Sequence, residues 1–321
     1  MFNYVGKRNI FFIISLAVVI AGIIAFAVFG GFNADIDFTG GYTMTVEVAT
    51  KATLENADEN ASAEEGVIKA EVVTGKDISK VKDTFAFDEN AVRNSLKGVS
   101  AITSLNVVKA DNGFVLKFNE IGAEDVKLVK DTLANEFGQV KIISEDKVSQ
   151  SVGAELWGNA SMALAIAAVL MLVYITFRFE FLSGVAAVIA LIHDLLIMMS
   201  VYVIFQLPIN TSFVAAMLTI LGYSINATIV IFDRIRENAR INKNESFDEI
   251  TNKSISQSLT RAINTSITTL LTIVMVYILG VTSVKEFALP IIIGIVCGTY
   301  SSIFIAGPTW AGFKALKKSR R

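Results

Sequence analysis

The chain has 321 residues, room for two domains of ordinary size, and 53% of them are hydrophobic with a mean hydropathy of +0.57, too apolar for a soluble protein. One cysteine, Cys297, and one histidine, His193, exclude a disulfide framework, a cysteine-based zinc site and a His-rich metal site within one chain. The formal net charge of −2 becomes informative only when split by region.

In chain order, Lys7 and Arg8 precede an apolar run over 10–31. At ~1.5 Å per residue this run is long enough to cross a bilayer. Ala25-Phe26-Ala27 has the look of a signal-peptide cleavage site, but the run is long for a signal peptide and five more spans follow, so an uncleaved first helix is expected. Asp35-Ile36-Asp37-Phe38-Thr39-Gly40-Gly41 comes next. Its paired glycines permit a tight turn or close backbone approach, with Asp37 and Thr39 as candidates to cap or hydrogen-bond that turn.

Residues 34–154 carry 21 acidic and 13 basic side chains, a net of −8. Strands are expected at 43–49, 67–73, 102–109, 114–118 and 140–148, and helices at 89–97 and 123–137. Asp111-Asn112-Gly113 reads as a hairpin turn. Residues 50–87 are polar and acidic, and mobility is expected in part of them. The order β-α-β-β-α-β, with an insertion after the first strand, predicts a ferredoxin-like α+β domain. No nucleophile–base pair appears in it. Gly75-Lys76 lacks the frame of a phosphate-binding loop, so no nucleotide site, nucleic-acid partner, cofactor or metal is expected.

The second half predicts spans at 156–177, 181–205, 211–232, 262–281 and 287–310, giving six in all and both termini on one side. The expected division is 1–31 (tip and first span), 32–154 (the α+β domain), 155–310 (five spans, with a polar, partly helical loop at 233–261) and a basic tail at 311–321. Lys7, Arg8, Arg178, Arg234, Arg236, Arg240, Lys243, Lys253, Arg261 and the tail cations then share one side, while Lys285 is the sole basic residue of the short loops opposite. By the positive-inside rule both termini are cytoplasmic and the acidic domain lies outside.

Polar residues at membrane depth are the candidate functional groups. His193 and Asp194 fall near the middle of the third span, where a charged Asp costs about 3 kcal/mol on insertion scales. They read either as a proton or cation relay or as a satisfied interhelical hydrogen bond. Neighbours on a helix point about 100° apart, so the two need not bond each other. Asn226 lies about two turns before the charged end of the stretch 218–240, where an amide needs a partner inside the protein. Arg261 opens the fifth span, with Asn264 a turn later, and either anchors at the interface or lines a path. Gly294 and Gly298 form a G-x3-G pair that predicts close packing against another helix, including one from another chain.

Several of these stretches carry a family wording. Gly222-Tyr223-Ser224-Ile225-Asn226 followed by Phe232-Asp233-Arg234-Ile235-Arg236-Glu237-Asn238 resembles the SecF subunit of the bacterial Sec protein-export machinery. So do the Asp37-to-Gly41 element, Arg178-Phe179-Glu180, Ile192-His193-Asp194, the stretch from Ser256 to Ser266 and the last span from Gly294 to Ala306. The resemblance implies a six-helix half-transporter of the RND type, not an enzyme. It would pair with SecD, work with SecYEG and an unfolded secretory protein in the cell membrane, and draw on the proton or sodium motive force. YidC and YajC are further implied partners. The family's Arg of the fifth span maps to Arg261. Its intramembrane Asp of the fourth span maps to Ala227, where no proton binds. Two readings follow: the coupling carboxylate comes from SecD, with Arg261 and Asn226 lining a shared path, or Asp194 substitutes. The alternatives to this function are a half-transporter for lipid or small molecules and a structural partner of SecD with no ion site of its own.

Overall fold

A computed structural model describes residues 2–48, 71–75, 87–110 and 112–319. The chain divides into two compact units, one comprising Met1–Asn33 with Gly158–Arg321 and the other Ala34–Trp157.

The second unit holds a five-stranded antiparallel sheet with two long helical segments against it. Its strands are β1 (Gly41–Val48), β2 (Glu71–Thr74), β3 (Leu105–Ala110), β4 (Gly113–Phe118) and β5 (Gln139–Val148), in the order β2-β5-β1-β4-β3. A one-turn helix α2 (Ile36–Thr39) precedes β1, while α3 (Glu89–Leu96) and α4 (Ala123–Phe137) make the two crossovers. Without β2, this is the strand order of the split βαβ arrangement expected from the sequence. Alternation drives it: Tyr42, Met44, Val46 and Val48 of β1 and Phe114, Leu116 and Phe118 of β4 are buried on one face. Against them lie Val126, Val129 and Leu133 of α4 and Val92 and Leu96 of α3, at helical spacing. Each such side chain contributes about 1.5–3 kcal/mol of burial.

β3 begins at Leu105 rather than 102, for a local reason. The Asn119 side chain accepts from the backbone N–H groups of Thr103 (2.7 Å) and Ser104 (3.2 Å) and donates to Ala101 O (3.0 Å). That satisfies the segment's backbone without a strand neighbour. Asp111 and most of the stretch expected to be mobile, 50–87, lie outside the described residues.

The first unit is helical. Among the described residues, six helices are long and apolar enough to cross a membrane. They are α1 (Arg8–Phe29), α5 (Gln150–Arg178), α6 (Phe181–Ile204), α7 (Thr211–Ile241), α8 (Phe247–Leu279) and a last span built from α9 (Thr282–Ser301), a π-helical segment (Ser302–Ala306) and α10 (Gly307–Ser319). The polar stretch at 233–261 is almost wholly helical, as extensions of α7 and α8. A capping box starts α8: the Ser246 hydroxyl accepts from Glu249 N (3.2 Å) while Ser246 N donates to Glu249 Oε2 (2.8 Å). At its base, Asn238 Nδ2 donates to Ser254 Oγ and to Gln257 Oε1, both at 2.8 Å, so the polar residues are spent on joining the two helices.

Gly294 and Gly298 pack against α7 of the same chain, not against another molecule. A Cβ on Gly298 would stand 3.0 Å from Ser224 Cβ, and one on Gly294 would strike Ile220. Close approach of α9 and α7 brings the hydroxyls of both helices to the middle of the bundle.

Candidate functional site

Asp194 is 1% exposed in the middle of α6. Its Oδ2 accepts from Ser224 Oγ of α7 (2.6 Å) and from Ser301 Oγ of α9 (2.8 Å). Its Oδ1 lies 3.0 Å from His193 Nδ1, and His193 Nε2 lies 2.8 Å from Ser15 Oγ of α1. The imidazole also stacks on Tyr300 at 5.9 Å between ring centroids, and Tyr300 OH donates to Phe11 O (2.9 Å). Helical spacing alone does not require His193 and Asp194 to bond, but here they do. The backbone directs them to different faces, but the imidazole, wedged between Tyr300 and Ser15, turns its Nδ1 back toward the carboxylate.

One carboxylate thus ties α6, α7 and α9 together, and His193 extends the link to α1. A carboxylate offers about four acceptor sites, and three are filled here, which offsets much of the cost of placing it at membrane depth. The arrangement can carry a proton on either the imidazole or the carboxylate. A proton on Asp194 turns one acceptor into a donor, so one of the three bonds must be remade.

Ser15 is not among the residues that the sequence singles out, and Ser301 not as a polar site residue. The signal for Ser15 was available, because it is the sole hydroxyl in the apolar run 10–31. Ser301 read only as a small residue in the last span. It closes α9 immediately before the π-helical segment, a feature that often accompanies functional positions.

The other membrane-depth candidates point away from this cluster. Asn226 is exposed, as are Gly222, Arg261 and Asn264. Among the described residues Asn226 has no side-chain partner, which corrects the expectation of one inside the chain. The reason is helical phase. Ser224, Thr228, Ile231 and Ile235 turn inward, whereas Thr219, Gly222, Asn226 and Asp233 share the opposite face. Tyr223 OH lies 3.5 Å from Ser266 Oγ, at the outer limit of a hydrogen bond, and Arg234 Nε donates to Gln257 Oε1 (2.6 Å). These antiparallel pairings set Asn226 level with Asn264, and Arg261 one turn nearer the charged end. Ala227, where the resemblance expects Asp, is half-buried beside them.

The remaining motif residues are structural clamps. Asp233 pairs loosely with Arg178 (3.7 Å), Arg234 with Glu237 (2.6 Å), and Arg236 donates to Arg178 O (3.2 Å). Glu180 caps the start of α6, accepts from Trp310 Nε1 (2.7 Å) and pairs with Lys314 (2.9 Å). Ile225 packs on the bundle core. In the sheet unit the cap of α2 is Asp35, not Asp37: its Oδ1 accepts from Ile36 N (2.8 Å), its Oδ2 pairs with Lys117, and Thr39 Oγ1 donates to Asp35 O (3.2 Å). Gly40 (φ 76°) and Gly41 (φ 147°) then turn the chain into β1, in conformations that favour glycine. A Cβ on Gly40 would meet Gln150 N at 2.8 Å, and Phe38 meets Trp157 edge to face at 5.1 Å.

Also in the sheet unit, Lys130 sits between Glu71 (2.5 Å) and Glu145 (2.7 Å). Burial works against its charge, but hydrogen bonds and attraction from the two carboxylates outweigh it and raise its pKa.

A family model described as "Protein export membrane protein SecD/SecF, C-terminal" matches residues 128–315. Protein translocase subunit SecF of Anaerolinea thermophila is 34% identical over 96% of this chain and 93% of its own length. The chain belongs to the SecD/SecF family of protein-export membrane proteins. Other family members are longer. The translocase subunit SecDF of Bacillus subtilis is 33% identical over 98% of this chain, which spans 39% of that protein. The crystal structure of SecDF from Thermus thermophilus superposes with a TM-score of 0.77 at 29% identity, again over 98% of this chain and 39% of that one. A SecDF structure in a super-membrane-facing form gives 0.65 at 30% identity. The SecF resemblance read from the motifs is thereby borne out, together with the six-helix fold carrying an inserted sheet domain.

Proposed function

We propose that this chain is the SecF half of a SecD–SecF unit that assists SecYEG in exporting secretory proteins and is driven by the proton gradient. Both termini lie in the cytoplasm and the sheet domain lies outside, the arrangement that the distribution of Lys and Arg favours. One observation carries the pairing. Asn226 and Asn264 are exposed at one level on two adjacent apolar helices, with exposed Arg261 one turn nearer the charged end. An amide or guanidinium facing hydrocarbon is costly, so this face needs a second polar surface within the membrane. A SecD partner supplies one, and relatives in which both names are fused support that choice.

In this reading the subunit has two polar stations. The outward Asn226–Arg261–Asn264 face meets SecD and whatever carboxylate SecD brings, since Ala227 offers none. The inward His193–Asp194 cluster responds to protonation by changing which helices Asp194 holds. The test is secretion of a reporter in cells carrying Arg261→Ala. Export should fall while protein level and co-purification with SecD stay intact. Normal export would reduce Arg261 to an interfacial anchor and remove the coupling role of this face.

A further inference from the structure

Bordering the His193 cluster, the helical unit carries a groove of about 890 Å³ between α1, α6 and α10. On α1 its wall is Arg8, Phe12, Leu16 and Val19, spaced by four, four and three residues, which is one helix face about 16 Å long. The opposite wall is mostly apolar, with Ile192 and Leu196 of α6 and Leu316 of α10, and also carries Thr309 of α10, whose buried hydroxyl has no hydrogen-bond partner among the described residues. Leu16 and Leu316 are 57% and 62% exposed, so nothing among the described residues covers the trough there. Ser15 and His193 in the wall are bonded to each other at 2.8 Å and so offer little to a polar solute.

The groove has one charged end. Arg8, the first residue of α1, lies where the span meets the interface, and among the described residues no carboxylate pairs with it. Its guanidinium rests over Gly312 of α10: a Cβ there would stand 3.0 Å from Nη1. The neighbouring cation Lys314 is already held by Glu180 at 2.9 Å. A planar guanidinium at a fixed place favours a bidentate oxyanion, and a phosphate fits it.

We propose that the groove binds one anionic phospholipid, its phosphate on Arg8 and an acyl chain lying along Phe12, Leu16 and Val19. Charge complementarity selects the headgroup, and the apolar trough selects the chain. A partner's transmembrane helix would fill the trough but would have no use for an unpaired cation at its end. The inference rests on the membrane-spanning reading of these helices and not on any coupling role for Asp194 or Arg261, so it stands or falls separately from the export assay.

The test is thermal unfolding of the purified full chain in neutral detergent, titrated with dioleoyl phosphatidylglycerol or dioleoyl phosphatidylcholine, with native mass spectrometry to count retained lipid. The glycerol lipid should raise the unfolding temperature saturably by roughly 3–6 °C more than the choline lipid, with one molecule retained. Arg8→Gln should abolish that difference, Arg8→Lys should keep part of it, and Lys7→Gln should leave it unchanged. If Arg8→Gln fails to fold, Gly312→Leu, which displaces the guanidinium, should also weaken the preference. Equal stabilisation by both lipids, an Arg8→Gln or Gly312→Leu protein that keeps the preference, or equal loss in Lys7→Gln would overturn the proposal. The last result would mean diffuse surface charge, and the first two an apolar face open to any lipid or helix.

Discussion

Ser301 Oγ lies 2.8 Å from Oδ2 of Asp194, so the last residue before the π-helical segment is fastened to a carboxylate at the centre of a different helix. Ser224 reaches the same oxygen at 2.6 Å from a third helix. Replacing Asp194 by Asn keeps the volume but presents an NH2 group to one set of donors. A loss of about 1–2 kcal/mol is expected from the mismatched hydrogen bond. Asp194→Leu should cost more, about 3 kcal/mol, because buried Ser224 and half-buried His193 lose this acceptor and Ser301 keeps only its longer bond to Gly298 O (3.3 Å). Thermal unfolding of the two variants in detergent gives the order, and equal stabilities would mean that the cluster is solvated. In cells, Asp194→Asn should abolish the uncoupler-sensitive part of reporter secretion.

The glycines of α7 and α9 should respond oppositely. Gly298→Val crowds Ser224, where even a Cβ would stand at 3.0 Å, and should destabilise the chain by about 1–3 kcal/mol. Gly222 faces open space, so Gly222→Ala should stabilise the isolated subunit by up to about 1 kcal/mol through helix propensity. If SecD seats on that face, the same change weakens co-purification with SecD. Unfolding and pull-down on one preparation separate the two effects, and unchanged SecD binding would move the interface elsewhere.

In the sheet domain, the raised pKa of Lys130 fixes a direction. The group is charged in both states at neutral pH, and folding raises its proton affinity. Its contribution is therefore fully present below the unfolded lysine value of about 10.4 and is lost as pH rises through the higher folded value. Lys130→Met should lower stability at pH 7 by about 1 kcal/mol or less, since Glu71 is more than half exposed. The gap from the native chain should close above pH 10.5. Denaturant unfolding at pH 7, 9 and 11 tests it, and a gap that widens with pH would contradict the assignment.

The orientation has a simple probe. Asn112 is exposed next to β4, and Cys297 is buried, so Asn112→Cys should be the reactive thiol of the variant. An impermeant maleimide added to intact cells or spheroplasts should label it. Labelling only after membrane disruption would reverse the topology.

The spans and the sheet order were legible because each rests on a local period: long apolar runs for the helices, alternation and 3.6-residue spacing for the domain. The helical continuation through 233–261 was legible only in part. Polarity there reports departure from hydrocarbon, while the capping box at Ser246 and the Asn238–Ser254 bond decide that the backbone stays helical. The cluster around Asp194 was half visible. His193 and Asp194 stand out in an apolar span, but Ser15 and Ser301 join them across 178 and 107 residues, a separation on which no sequence period reports. The outward turn of Asn226 was hidden for a related reason. Both faces of α7 are apolar enough for a membrane, so its rotation is set by how Gly294 and Gly298 let α9 approach.

The helix that contains Ser224 has a further consequence. α7 runs unbroken from Thr211 to Ile241, 31 residues without a proline and roughly 46 Å long. Ser224, at Asp194, and Asn238, at Ser254, are two points on that single rod, about 21 Å apart. A sideways or rotational step at the carboxylate therefore cannot be absorbed locally in α7. It reappears at the far end as a swing of the α7–α8 hairpin, which makes the polar 233–261 extension the long arm of a lever whose short arm is one hydroxyl on one aspartate.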